Sequence, residues 1–231
     1  MKLEPFHVLA DIIRAIGERD FAAVAARRVL DFTDFELGAV VVHPRLRQPY
    51  LLFDNFEAVH AREGLHNYVA FTHAANPMLA QVDRRRGAFR ARDFACGTGI
   101  EPSNPYLLAS PGEELGYRTI GWPERLEEVG IYFQGLGGLV ELSVYRPRGQ
   151  RPAAADKLQE LEALRDPIAA AFDRHAALLG GNVAPPPPGL DGTLTPREAE
   201  VLRLLLAGCG SEAIALRLDL SRHTVLSLIH I

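Results

Sequence analysis

The chain has 231 residues, 48% of them hydrophobic and 23% charged, with a formal net charge of −4. That length accommodates one substantial domain and a smaller one, and the composition is globular rather than fibrous or disordered. The acidic balance excludes a whole-chain electrostatic affinity for nucleic acid, so any such affinity has to be local.

Among the cations only Lys2 and Lys157 are lysines. The arginine bias fits GC-rich coding better than a binding device. The two cysteines, Cys96 and Cys209, stand far apart, which argues against a disulfide framework and for a reducing, cytoplasmic setting. The N-terminal stretch carries acidic residues within its apolar part, and no segment approaches the roughly 18 uninterrupted apolar residues of a membrane span. Neither secretion nor membrane insertion is expected.

In chain order, Phe6, Leu9, Ile13 and Ile16 recur at helical spacing and predict an amphipathic helix over residues 4–18. A second helix over 20–31 carries Phe21, Val24 and Leu30. Gly38–His43 is rich in β-branched residues and stops at Pro44, which predicts a strand. Tyr50–Phe53 is its hairpin partner across the turn Arg45–Pro49. Residues 57–75 read as helical, with Asn76-Pro77 breaking the run. Arg84–Arg86 forms a loop or helix end, and a strand is expected at Phe89–Phe94. From Cys96 to Pro111 the abundance of Gly, Pro, Ser and Asn predicts a long loop, one able to lie over a pocket.

Glu128–Phe133 and Leu139–Tyr145 read as an antiparallel hairpin joined by Gln134–Gly138. Val140, Leu142 and Val144 alternate with Glu141, Ser143 and Tyr145, the period of a strand. A long helix over 153–179 carries the stripe Leu158, Leu161, Leu164, Ile168, Phe172, Ala176 and Leu179, with Pro167 as a kink point. That stripe packs on the sheet or forms a dimer seam. Residues 181–193 form a linker, semi-rigid at Pro185–Pro188, where polyproline II is favoured.

From Leu194 to Val225 the spacing predicts three helices. Thr195 and Glu198 form a capping box around Pro196 at the first helical position. Val201, Leu202, Leu205 and Leu206 give one buried face, and Ala207-Gly208 ends the helix. A short helix from Ser211 turns Ile214, Ala215 and Leu218 inward. Asp219-Leu220 makes a tight turn, and Ser221 caps a third helix opening with Arg222, His223, Thr224 and Val225. This is the grammar of a helix-turn-helix.

These residues, LTPREAEVL followed by S-x-x-IA-x-RL-x-LS-x-HTV, resemble the DNA-binding module of LuxR-type transcriptional regulators. Most of the matching positions are caps and packing positions. The resemblance implies that Ser221, Arg222, His223 and Thr224 approach double-stranded DNA with the third helix in the major groove, with Arg197 a further phosphate contact. After Thr-Val the family supplies a lysine, further polar residues and a fourth, dimerising helix. Here the chain reads Leu226–Ile231, Ala213 replaces a usual acidic residue, and Asp219 stands where glycine is usual. The expectation is a C-terminus that is truncated or replaced. Arg197, Arg203, Arg217 and Arg222 are balanced by Glu198, Glu200, Glu212 and Asp219, so the module is neutral.

The expected fold class is α+β. An antiparallel sheet with flanking helices, residues 1–180, is joined by the linker to an incomplete all-α module, residues 194–231. The element order of the larger part resembles GAF- or PAS-like sensor domains. The expected function is a DNA-binding regulator, a homodimer, controlled by a small molecule or partner at the N-terminal domain. The alternative is a sensing or interaction protein that does not engage DNA in this form. Acyl-homoserine lactones, which one branch of the family binds, are not carried over, because the aromatic-and-aspartate pattern has no counterpart here.

No cofactor, metal site or enzymatic activity is expected. His66 and His73 share a helix face but stand about 10 Å apart along the axis, and His60 belongs to another face. Cys96 lies beside Gly97-Thr98-Gly99 with no base placed by spacing. Tyr50, Phe53, Tyr68, Phe71, Phe89, Trp122, Tyr132 and Phe133 either fill the core or line a small-molecule cavity.

Overall fold

The computed structural model describes residues 4–44, 48–81, 87–94, 104–149, 155–180, 196–206 and 209–229. Arg84–Arg86, Cys96, the proline linker, Thr195 and Ala207-Gly208 lie outside them, as does the Glu198 side chain. The chain divides into two compact units, Met1–Ala184 and Pro185–Ile231.

The larger unit opens with helices α1 (Pro5–Arg14) and α2 (Phe21–Thr33). Apolar residues are so frequent in α1 that spacing alone does not fix which face turns inward. Val8 and Ile12 are buried, whereas Phe6 is 84% and Ile13 58% exposed. The buried face is thus rotated from the Phe6–Ile13 stripe, while Leu9 and Ile16 pack at its margin.

Strands β1 (Leu37–Pro44) and β2 (Tyr50–Asp54) pair antiparallel as expected. The run expected as one helix over 57–75 is instead segmented: a 3-10 turn at Phe56–Val59, helix α3 (Arg62–Asn67), a π-turn at Tyr68–Thr72 and a second 3-10 turn at His73–Ala75. The first break falls at His60, whose left-handed φ of 54° does not continue a helix. Helix α4 (Pro77–Gln81) then starts on proline. Strand β3 spans Gly87–Arg90, shorter than expected, because the chain coils at Ala91–Phe94, where Arg90 Nε donates to Asp93 Oδ2 at 2.9 Å.

Strand β4 (Leu107–Ala109), inside the expected long loop, pairs with β5 (Tyr117–Thr119), beyond its end, as a separate two-stranded sheet. Strands β6 (Leu126–Gly135) and β7 (Gly138–Pro147) are the expected hairpin, longer than predicted. Their turn residues, Leu136 and Gly137, both take positive φ, as a two-residue type I′ connection requires. The main sheet is antiparallel in the order β2-β1-β7-β6-β3.

One face of that sheet is apolar. Val40, Val42, Val129, Ile131, Phe133, Val140, Leu142 and Val144 pack under α1, α2 and α5 (Ala155–Leu178). Helix α5 continues through Pro167 and buries Leu161, Leu164, Ile168 and Phe172, as its stripe predicts. Near its end the stripe departs from the prediction: Leu179 is exposed and His175 is buried. The His175 ring stacks on Phe21, and its Nδ1 accepts the Gly17 N–H at 3.0 Å. Burial holds the imidazole below its usual pKa.

The smaller unit contains α6 (Pro196–Leu206), α7 (Ser211–Leu218) and α8 (Arg222–Ile229). Val201, Ile214, Ala215 and Val225 form its buried centre, with Leu205, Leu218, Leu220 and Leu228 around them.

Candidate functional site

The second face of the sheet is apolar along β1, where Leu37, Ala39 and Val41 are buried, but carries a buried polar row on β6 and β7. Register sets Glu128 opposite Tyr145, Gly130 opposite Ser143 and Tyr132 opposite Glu141. Strand alternation sends all six side-chain positions to one side. Glu141 is 1% exposed and Ser143 0%. Read from the sequence alone, such a row belongs to a solvent-facing side. Here the α3–π-turn segment and the β4–β5 sheet cover it and enclose a cavity of ≈ 640 Å³, counting its part open to solvent.

Polar contacts fix the cover to itself. Asn67 Nδ2 donates to Ile120 O at 3.0 Å, Tyr117 OH donates to Ala75 O at 2.7 Å, and the Thr72 and Thr119 hydroxyls lie 2.8 Å apart. The closest crossing is backbone on backbone: a Cβ at Gly64 would lie 2.3 Å from the Gly121 carbonyl carbon. In the floor, a Cβ at Gly130 would lie 2.7 Å from Ser143 Oγ and 2.9 Å from the Tyr132 ring. Glycine there gives Tyr132 room to lie across the strand.

Glu141 is the centre of the floor network. Its Oε2 accepts from Tyr68 OH at 2.8 Å and lies 2.7 Å from His43 Nε2, while Ser143 Oγ donates to Oε1 at 3.3 Å. Asn76 Nδ2 in turn donates to Tyr68 OH at 2.8 Å. Burial, then the Glu141 charge, raises Tyr68 and Tyr132 well above the ordinary phenol pKa, so both stay protonated donors. Burial first, and Glu141 second, pushes Glu128 up to about 8. At neutral pH the Glu128 carboxyl is therefore mostly protonated.

Of the aromatic residues singled out in the sequence, Tyr68 and Trp122 line the cavity. Tyr132 lies in the floor network, whereas Phe133 faces the helices and Phe71 stacks outside on Tyr106 at 4.1 Å. Among the cavity residues that sequence reasoning missed are Glu113, Glu114, Glu128, Glu141 and Tyr145; the alternation marked Glu141 and Tyr145 as sharing a face without showing that a cover lies over it. The histidines weighed together do not meet: His60 and His66 are exposed, and the ring near His73 is that of His43, at 5.8 Å.

In the smaller unit, Asp219 takes the left-handed conformation (φ 52°) that closes α7, and the Leu220 N–H bonds to Ala215 O at 2.9 Å. This is the turn position where glycine is cheapest. Ser221 Oγ then accepts the Thr224 N–H at 3.0 Å, the expected N-cap of α8. Ser221, Arg222, His223 and Thr224 are all exposed at that helix start.

Arg222 pairs with Glu212 at 3.4 Å. Arg197 pairs with Glu200 at 2.8 Å and donates to the Leu218 carbonyl at the end of α7. Leu226, where a cation was expected, is half-buried.

The family model of bacterial regulatory proteins of the luxR family matches residues 192–229. No curated protein matches the chain in sequence. Among solved structures, the VqsR LBD domain from Pseudomonas aeruginosa is similar at 14% identity and TM-score 0.50, over 75% of this chain and 96% of that one. Escherichia coli SdiA is similar at 15% identity and TM-score 0.47, over 97% and 88%. The N-acylhomoserine lactone dependent LuxR family transcription factor CepR2 from Burkholderia cenocepacia is similar at 18% identity and TM-score 0.43, over 75% and 93%. The GAF- or PAS-like analogy of element order is not confirmed by the similarity to the VqsR LBD domain. Residues 192–229 are a helix-turn-helix module of the luxR family of bacterial regulatory proteins, in a chain that shares over three quarters of its length the fold of the VqsR LBD domain.

Proposed function

We propose that the chain is a DNA-binding transcriptional regulator in which residues 1–180 bind a small molecule and residues 194–231, joined through the linker 181–193, read duplex DNA as a homodimer. The observation that carries this reading is the luxR family match, falling on a module whose capped α8 start is exposed. The walled cavity and the fold shared with the VqsR LBD domain support the sensing half. In this reading α8 enters the major groove, Thr224 and His223 meet base edges, and Ser221, Arg222 and Arg197 hold phosphates.

A second reading, a sensor that does not engage DNA, is favoured by the pairing of Arg197 and Arg222 within their own unit. Both pairs are exposed, and such pairs contribute only about 0.2–1 kcal/mol. Phosphates can displace them at little cost. The deciding experiment is a mobility-shift selection from random duplexes at low salt. The regulator reading expects a recovered sequence preference, and no shift at any protein concentration overturns it.

A further inference from the structure

The cavity is unbalanced in charge. Glu113, Glu114, Glu128 and Glu141 line it, with Arg118 the cation among its described lining residues. Arg118 spends two of its nitrogens on the wall, donating from Nη1 to Trp122 O and from Nη2 to Glu124 Oε1, each at 2.8 Å, while its Nε is buried and unmet among the described residues.

The carboxyls differ in how they are met. Glu141 has His43, Tyr68 and Ser143. Glu113 accepts the Arg125 N–H at 3.0 Å and pairs with Arg148. Glu114 Oε2 accepts the Glu128 N–H at 3.2 Å. Glu128 has the hydroxyls of Ser143 and Tyr145 at its carboxyl, yet its Oε1 is buried and meets no hydrogen-bond partner among the described residues. A buried carboxyl oxygen is ordinarily met by a donor, and one left unmet in the wall of a cavity calls for a donor on whatever enters.

We propose that the ligand of this cavity is an organic cation, an ammonium group carried on an apolar body, with its N–H donating to Glu128 Oε1 and its body against Trp122 and Tyr145. The inference rests on the reading of the cavity as a small-molecule site. An ammonium makes a charge-assisted bond with a carboxylate, about twice as strong as its neutral counterpart. The aromatic faces around it attract the same charge. An anionic ligand would meet carboxyls on several sides.

Binding carries a proton signature. Burial and the Glu141 charge keep Glu128 mostly protonated at neutral pH. The groups that face it are Glu141 and Glu114, with the hydroxyls of Ser143, Tyr132 and Tyr145. An arriving ammonium favours the carboxylate, so Glu128 gives its proton to solvent while the ammonium keeps its own.

The test is calorimetric titration of the whole chain at pH 7 with phenethylammonium, 2-phenylethanol and 3-phenylpropanoate. Phenethylammonium is expected to bind at least about tenfold more tightly than the alcohol. Its heat should vary with the buffer's ionisation enthalpy, reporting release of about one proton. Glu128→Gln should lose both the preference and the proton release. Should that variant fail to fold, the buffer dependence of the unaltered chain decides. Equal or tighter binding of the alcohol or the carboxylate overturns the charge assignment while keeping a small-molecule cavity. No heat from any of the three overturns both the assignment and the cavity reading.

Discussion

A methyl group at position 64 would fall within 2.4 Å of the backbone of Gly121 and Trp122. Two main chains cross there, and neither can swing aside as a flexible side chain would. Gly64→Ala is therefore expected to cost about 3 kcal/mol or more, read as a lowered thermal midpoint. Unchanged stability would mean the cover is not anchored at this crossing. Glu128 makes a different prediction. Its folded pKa of about 8 lies above the unfolded value near 4.5, so its contribution is fully present below pH 4.5 and is lost as pH rises through 8. Glu128→Gln removes that loss, on the order of a few kcal/mol, and should be more stable than the parent chain at pH 9. Parallel profiles of thermal midpoint against pH would contradict the assignment. Neither residue was legible as a site in the sequence. A glycine's close neighbours are long-range, and the alternation of Glu141, Ser143 and Tyr145 shows a shared side of a strand without showing what covers it.

Among elements, α8 is the one whose start can be tested singly. Ser221 Oγ meets the Thr224 N–H, and Ser221→Ala is expected to cost about 1 kcal/mol in the stability of the smaller unit. Hydrogen exchange confined to residues 196–229 would detect it, and unchanged protection there would show that the cap carries no weight. This cap, the turn at Asp219 and the buried Val201, Ile214 and Val225 were readable from the sequence because they depend on neighbours within a few residues. The β6–β7 hairpin and the α5 stripe were readable for the same reason, through long regular patterns. The phase of α1 was not, since Phe6, Val8, Leu9, Ile12 and Ile13 offer more than one apolar face. Nor was the β4–β5 sheet, whose strands are too short to show a period. The segmentation of residues 56–75 begins at the left-handed backbone of His60, which the spacing of apolar residues does not register.

At the scale of the molecule, the proposed function divides between the two units, with the carboxyl-lined cavity in one and the exposed start of α8 in the other. Net charge says little about either, because the module is neutral and Arg197 and Arg222 are paired. In the proposed function, affinity for DNA depends on exchanging those weak pairs for phosphates, which makes it salt-dependent. The most direct measurement is the slope of log affinity against log salt for a selected duplex, taken on the unaltered chain, Arg222→Ala and Thr224→Ala. The regulator account predicts a negative slope that becomes shallower by about one in Arg222→Ala, and an altered base preference with an unaltered slope in Thr224→Ala. Binding that ignores salt and both substitutions, or no duplex binding at low salt, would contradict it.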